Sequence, residues 1–301
     1  MKTVMIFPGV GTQYPALVED FRDVLNEYPK MAGEFSEVLG ISWVNLLDHL
    51  KEWGRRPRYG TVIGIIYGIM VGSYWIERFG RPDTFTGLSN GMYVACALSG
   101  ALSPLDAVTL CYQRGLLIED LSTSRDMMTG IIEGITISQL EAVVADVRPY
   151  GLVEITGHNT LTQFVVGGTV DGVRRVLELA VARHASLVLE LDLPVAFHSS
   201  HMRDVNRRYV HEVLSKYTIS ASRVPIISSI NGEILTNSSL LRDHLASLLE
   251  TPVRFVEVVN RCRNLGITEW VVGGPGRTVA GLLSTTDHVT LATRLSEVSR
   301  P

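Results

Sequence analysis

The chain opens on a short, uniformly apolar run, Val4–Phe7, that stops at Pro8-Gly9-Val10-Gly11-Thr12-Gln13. A brief apolar run closed by Pro and Gly predicts a strand buried on both faces, followed by a turn. Apolar positions then take helical spacing from about 16 to 25 and from 35 to 50, and most densely over Thr61–Phe79. The longest apolar stretch, Val62–Trp75, is shorter than the roughly 20 residues a membrane span requires, so it predicts a buried helix. The stretch 82–86 predicts a strand that runs into Gly87-Leu88-Ser89-Asn90-Gly91, with a helix over Met92–Leu98.

The texture changes between residues 126 and 191. Strands are predicted over 127–135, 152–156, 163–167 and 186–191, with amphipathic helices over 138–147 and 170–183. The order βαββαβ is that of a ferredoxin-like unit. Beyond it the pattern predicts a helix over 201–217, a strand over 225–229, a helical region over 240–264, a strand over 269–273 and a helix from Arg277. The expected fold is α/β: a main domain with a parallel sheet, formed by residues 1–125 and 192–301, carrying a ferredoxin-like small domain at 126–191.

Composition narrows the function. With 46% hydrophobic residues the chain can bury a large core, and its net charge of −4 supplies no basic field for nucleic acid or an anionic membrane. Cys96, Cys111 and Cys262 lack the spacing of a disulfide framework or a zinc site and read as small core residues, so no metal and no cofactor is expected. Val4–Phe7 is too short for the apolar core of a signal peptide, which makes a soluble, cytoplasmic protein the expectation.

Chemistry enters at Ser89. In Gly-x-Ser-x-Gly, set between a strand and a helix, the serine occupies a strained turn that only small neighbours tolerate, and N–H groups at the helix start face a developing oxyanion. These are the elements of the nucleophile elbow of a hydrolase-like α/β domain. A serine hydroxyl needs a base. Of the eight histidines, His198 and His201 both lie where an apolar segment gives way to a helix, and spacing alone leaves either eligible.

Five motifs run in a shared order: Phe7-Pro8-Gly9-x-Gly11-Thr12-Gln13, Gly-x-Ser-x-Gly at 87–91, Gln113-Arg114-Gly115, Phe197-His198-Ser199 and Gly274-Pro275-Gly276. In this the chain resembles the malonyl-CoA:acyl carrier protein transacylases and the acyltransferase domains of polyketide synthases, from about residue 4 to about 284. The resemblance implies Ser89 as nucleophile and His198, not His201, as base. It implies an oxyanion hole made by the backbone N–H groups of Asn90 and Val10, and an imidazole oriented by a main-chain carbonyl near Leu248 instead of a carboxylate. Arg114 would hold the free carboxylate of a malonyl group through a planar fork of donors. Phe197 would crowd the malonyl 2-carbon, and Asn159 and Gln163 would line the cleft. The implied partners are a malonyl-type acyl-CoA, or an acyl-loaded carrier protein as donor, and the phosphopantetheine thiol of an acyl carrier protein.

The chain departs from that family at three positions: Leu88 stands for a histidine, Asn90 for an aliphatic residue or glutamine, and Val10 for a glutamine. No catalytic atom is removed, because the oxyanion donors are backbone groups; the wall beside the acyl group changes. Plain malonyl is one reading of the acyl group. The alternatives are a hydroxy- or aminomalonyl unit whose polar substituent meets Asn90, an unusual acyl group passed from another carrier, and an editing hydrolase. A discrete enzyme of polyketide or other secondary metabolism fits such divergence.

Overall fold

Two sheets organise the chain, and their strand orders follow from which runs are apolar on both faces and which on one. The computed structural model describes residues 2–9, 18–53, 56–122, 126–191, 193, 195–275, 278–283 and 289–292. Strand β1 (Lys2–Phe7) leads by way of α1 (Val18–Glu27), α2 (Pro29–Leu39), α3 (Trp43–Asp48) and α4 (Leu50–Trp53) to the long α5 (Pro57–Phe79). Next come β2 (Thr84–Gly87), α6 (Gly91–Leu98) and α7 (Pro104–Ser122). Pro57 opens α5 at a position where its missing N–H costs nothing, so this helix starts four residues before the apolar pattern predicts. Its 23 residues are long and apolar enough to cross a membrane, yet it is mostly buried against α6 and α7 as a core helix.

The second sheet is built from β3 (Met127–Glu133), α8 (Ile137–Val147), β4 (Val153–His158), β5 (Gln163–Thr169), α9 (Val170–Ala182) and β6 (Leu187–Leu191). A capping box, Thr136 with Gln139, starts α8, and the Thr169 hydroxyl caps α9. Strands run in the order β6-β3-β5-β4, all antiparallel, as a ferredoxin-like unit requires. Val143, Val147, Val173 and Val176 pack from the two helices against Ile132, Phe164 and Val166.

The chain then continues through α10 (Arg203–Arg208), β7 (Ile226–Ile227), β8 (Ile234–Leu235), α11 (Ser238–Ser247), β9 (Val253–Arg254), α12 (Phe255–Asn264), β10 (Ile267–Gly273), α13 (Thr278–Leu282) and β11 (Val289–Ala292). The first sheet has the order β11-β10-β1-β2-β7-β8, with β11, β10, β1, β2 and β7 parallel. Strand β9 pairs instead with β4, so the second sheet takes its fifth strand from far outside 126–191.

Other expectations shift. The helix expected over 201–217 is broken into a 3-10 turn, α10, a π-helical turn at Tyr209–Val213 and a second 3-10 turn. The widened turn brings Tyr209, Val213 and Leu214 all to the core side. The region 240–264 splits into α11 and α12, because Pro252 forces its predecessor toward extended backbone. The strand expected over 225–229 pairs only at 226–227, and α7, β8 and β11 go beyond the expected elements.

Helices α5 and α7 touch where Gly115 meets Arg58: a Cβ at 115 would lie 2.4 Å from the Arg58 Cα. Gly115→Ala must push the two backbones apart, at a cost of about 1–3 kcal/mol for overpacking. Urea denaturation of both proteins checks this, and a loss below about 0.5 kcal/mol would show that the helices separate freely.

Candidate active site

Strands β1 and β2 are parallel neighbours, so their C-terminal ends lie at the same edge of the sheet, where open α/β sheets bind ligands. Phe7 is paired with Gly87 there, and the Leu88 N–H donates to the Phe7 carbonyl at 2.9 Å. The turn that follows is crowded to the limit. A Cβ on Gly87 would sit 2.1 Å from the Gly91 carbonyl carbon, and one on Gly91 would sit 2.2 Å from the Phe7 oxygen. Both glycines of the motif are therefore steric necessities. Between them Ser89 is driven to φ 51°, a left-handed conformation that costs a non-glycine residue of order 1 kcal/mol or more. The Asn90 N–H, at the start of α6, has no backbone acceptor among the described residues.

His198 meets this serine. Its Nε2 lies 2.8 Å from the Ser89 Oγ, and its Nδ1 lies 2.7 Å from the Leu248 carbonyl oxygen. A carbonyl only accepts, so Nδ1 carries the proton and Nε2 accepts from the serine hydroxyl. Leu248 is the C-cap of α11, where a carbonyl at the negative end of the helix is left without an intrahelical partner. His198 is itself held at φ 62°, with its N–H donating to the Leu249 carbonyl at 2.9 Å. Burial lowers its pKa to about 4; the Leu248 carbonyl opposes this and the charge of Arg114 adds to it. The imidazole is thus neutral and free to accept a proton near neutral pH. His201 lies in the following 3-10 turn, its buried Nε2 without a hydrogen-bond partner among the described residues, and makes no bond to Ser89.

Arg114, on α7, is only 2% exposed. Its Nη2 donates to the Asn90 Oδ1 and its Nη1 to the Tyr93 hydroxyl at 3.3 Å. The guanidinium carbon sits 4.8 Å from the Tyr93 ring centre and 6.0 Å from that of Tyr209, and the two phenols bond to each other at 2.7 Å. Burial pushes the neighbouring Cys111 thiol up to about 12, so it remains a neutral thiol. Among the described residues no carboxylate pairs with Arg114, and its Nε has no hydrogen-bond partner.

The remaining candidates fall around this centre unevenly. Phe197 is half-buried against the main core, its ring 6.4 Å from that of His198, and Leu88 packs on the apolar cluster below the sheet. Asn159 and Gln163 spend their amides on each other at 3.0 Å, and Gln163 also donates to Glu133. They bind the β4–β5 turn together and make no hydrogen bond to Ser89, His198 or Arg114. Val10 lies outside the described residues; Gly9 before it faces Leu88 and Ser89. Sequence reasoning missed Tyr93 and Tyr209. Tyr93 was accessible, standing one helical turn beyond Ser89, but nothing in the sequence marks Tyr209.

A serine at a strained strand-to-helix turn, hydrogen-bonded to a neutral imidazole and placed on a parallel sheet, defines an enzyme class that works through acyl groups. The acyl transferase domain profile matches residues 66–271, and the chain belongs to that family: it is an acyltransferase. It is similar to the malonyl CoA-acyl carrier protein transacylase of Bacillus subtilis strain 168, at 28% identity, over 94% of this chain and 89% of that protein. It is likewise 28% identical, over 85% of this chain, to 15% of the desertorin synthase of Aspergillus desertorum. Among solved structures, an acyl-carrier-protein S-malonyltransferase from Burkholderia pseudomallei 1710b superposes with a TM-score of 0.90 at 25% identity, covering 99% of this chain and 98% of that one.

A second buried histidine stands behind the site. His244 on α11 accepts at Nδ1 from the Ser228 hydroxyl at 3.2 Å, since that oxygen already takes the N–H groups of Ile230 and Asn231. Burial, reinforced by His198, lowers the pKa of His244 to about 4. Both rings are neutral when folded, while in the unfolded chain they take up protons from about pH 6.5 downward. Their contribution to stability is therefore complete above about pH 6.5 and is lost as pH falls toward 4, each ring adding up to about 1.4 kcal/mol per pH unit. Urea titrations at pH 7, 6 and 5 should show this slope, and His244→Gln should reduce it; an identical slope in that variant would contradict the assignment.

Proposed function

We propose that this acyltransferase moves a malonyl group from coenzyme A to the phosphopantetheine thiol of an acyl carrier protein through an ester on Ser89. The observation that carries the reading is Arg114: a buried cation beside the Ser–His pair with no carboxylate of its own among the described residues. An unpaired charge out of water is costly, and a dicarboxylic acyl donor supplies the missing partner. Beyond its bonds to Asn90 and Tyr93 the guanidinium keeps an Nε–H with no partner among the described residues, and its planar fork of donors suits such a carboxylate. The transacylase and S-malonyltransferase among its relatives support the same donor and acceptor.

In the first half-reaction the Ser89 hydroxyl attacks the thioester carbonyl while His198 Nε2 takes its proton. The Asn90 N–H, and that of Val10 by resemblance, stabilise the oxyanion. Collapse breaks the C–S bond, and His198 returns the proton to the departing coenzyme A sulfur. The carrier thiol then attacks the Ser89 ester, giving its proton to His198, which passes it back to the serine oxygen. Because the Leu248 carbonyl bears no charge, it orients the ring and stabilises the imidazolium only through a dipole. A hydroxy or amino substituent on the acyl group finds the Asn90 amide already engaged at both ends, by Arg114 and by the Thr61 carbonyl.

Intact-protein mass spectrometry after brief exposure to malonyl-CoA should show a single added malonyl group, absent in Ser89→Ala; a labelled Ser89→Ala protein would remove Ser89 as nucleophile. Arg114→Ala should lower the malonyl-to-acetyl ratio of kcat/KM by about 30- to 1000-fold, the equivalent of about 2–4 kcal/mol for a charge-assisted bidentate contact. An unchanged ratio would make the arginine structural and end the malonyl assignment.

A further inference from the structure

Resting on the carboxylate-binding reading of Arg114, the geometry points to the Asn90 side chain as the positioning residue that aims this guanidinium and so sets the preference for dicarboxylic acyl donors. Asn90 follows the nucleophile, and its contribution to an oxyanion hole comes from its backbone. Its side chain is chemically independent of that task. It is nevertheless a polar amide only 4% exposed, and a buried amide must be bonded at both ends or destabilise the site.

Both ends are bonded, and to partners on different helices. The Oδ1 accepts from Arg114 Nη2 on α7, and the Nδ2 donates to the Thr61 carbonyl on α5 at 3.3 Å. Thr61 is itself buried and sends its hydroxyl to the Cys111 carbonyl on α7 at 3.3 Å. Asn90 thereby closes a ring of contacts across α5, the start of α6 and α7. With Nη2 pinned by Asn90, Nη1 by the Tyr93 hydroxyl and the plane laid beside the Tyr93 ring, the guanidinium cannot turn about its terminal bonds without breaking a contact. Its two partners are neutral. They fix the orientation while leaving the whole positive charge for a ligand, which a carboxylate at position 90 would cancel.

An aliphatic side chain at 90 would leave Nη2 without its acceptor in a buried place, and the cation would be both loose and poorly solvated. An aspartate, nearly isosteric, would pair with Arg114 and compete with the donor's carboxylate. The two substitutions disturb binding of the second carboxylate by different routes and should both appear in substrate preference.

The test uses the full chain and measures kcat and KM for malonyl-CoA and acetyl-CoA in the parent, Asn90→Asp, Asn90→Leu and Arg114→Ala proteins. Asn90→Asp should lower the malonyl-to-acetyl ratio of kcat/KM by about 100-fold or more, because a resident carboxylate occupies the fork. Asn90→Leu should lower it by about 10-fold, carried more by KM for malonyl-CoA than by kcat, as expected when one neutral hydrogen bond to a charged group is lost. Should the leucine variant fail to fold, the isosteric aspartate carries the test alone. A ratio that falls in Arg114→Ala but is unchanged in the Asn90 variants overturns the role of Asn90 and leaves the carboxylate reading standing. A ratio unchanged in Arg114→Ala as well overturns both.

Discussion

Everything at the site hangs on the contact between the end of β1 and the start of α6. The Phe7 carbonyl accepts from Leu88 and lies so close to Gly91 that no side chain fits between them. That closeness compels the chain to reverse within a few residues and drives Ser89 into left-handed backbone, with its hydroxyl meeting His198 Nε2. The strain is sustained by the depth of the core on either side: β1 and β2 are fully buried at Val4–Phe7 and Thr84–Gly87, and every residue of α6 is buried. Such strain persists where the surroundings over-determine it.

His198 reaches the serine from the joint between the two sheets. The Thr129 hydroxyl on β3 donates to the Val195 carbonyl, and the Gly167 backbone on β5 approaches Ala196, so the segment leading to His198 is pressed against the second sheet. Its other side is tied to the loop after α11 through Leu248 and Leu249. A few residues further, β9 joins β4. The His198 ring is therefore held by contacts from the second sheet and from the end of α11, and a helix-end carbonyl stands at its Nδ1 where the Ser-His-Asp triad places a carboxylate.

The third element of the site is a charge in the core. Arg114 is surrounded by an amide, two phenols and a thiol, all neutral, since burial raises the pKa of both Tyr93 and Tyr209. Neutral hydrogen bonds and aromatic faces hold a cation without quenching it. The π-helical turn that carries Tyr209 belongs to this arrangement: it departs from regular helix where its first residue faces the guanidinium.

The strained turn at Ser89 and the alternation of strands and helices over 127–191 were legible in the chain, because each depends on neighbours in sequence, whereas the pairing of β9 with β4 was not. Gly87, Ser89 and Gly91 crowd one another within a single turn, and short apolar runs separated by amphipathic helical stretches mark the strands and helices of 127–191. The choice of His198 over His201 came from resemblance, and spacing could not make it: the two histidines are three residues apart, and only the left-handed backbone at 198 and the placement of Leu248 send one ring to the serine. Equally, the sequence places Arg114 in the motif Gln113-Arg114-Gly115 but does not show what surrounds its side chain, and says nothing of Tyr209, almost a hundred residues away. Packing of α5, α6 and α7 decided that this arginine is buried, that its partners are neutral and that Asn90 is spent on it. Local geometry is encoded by adjacent residues, whereas the electrostatics of a buried cation depends on which distant groups the fold brings around it, and that only the tertiary structure determines.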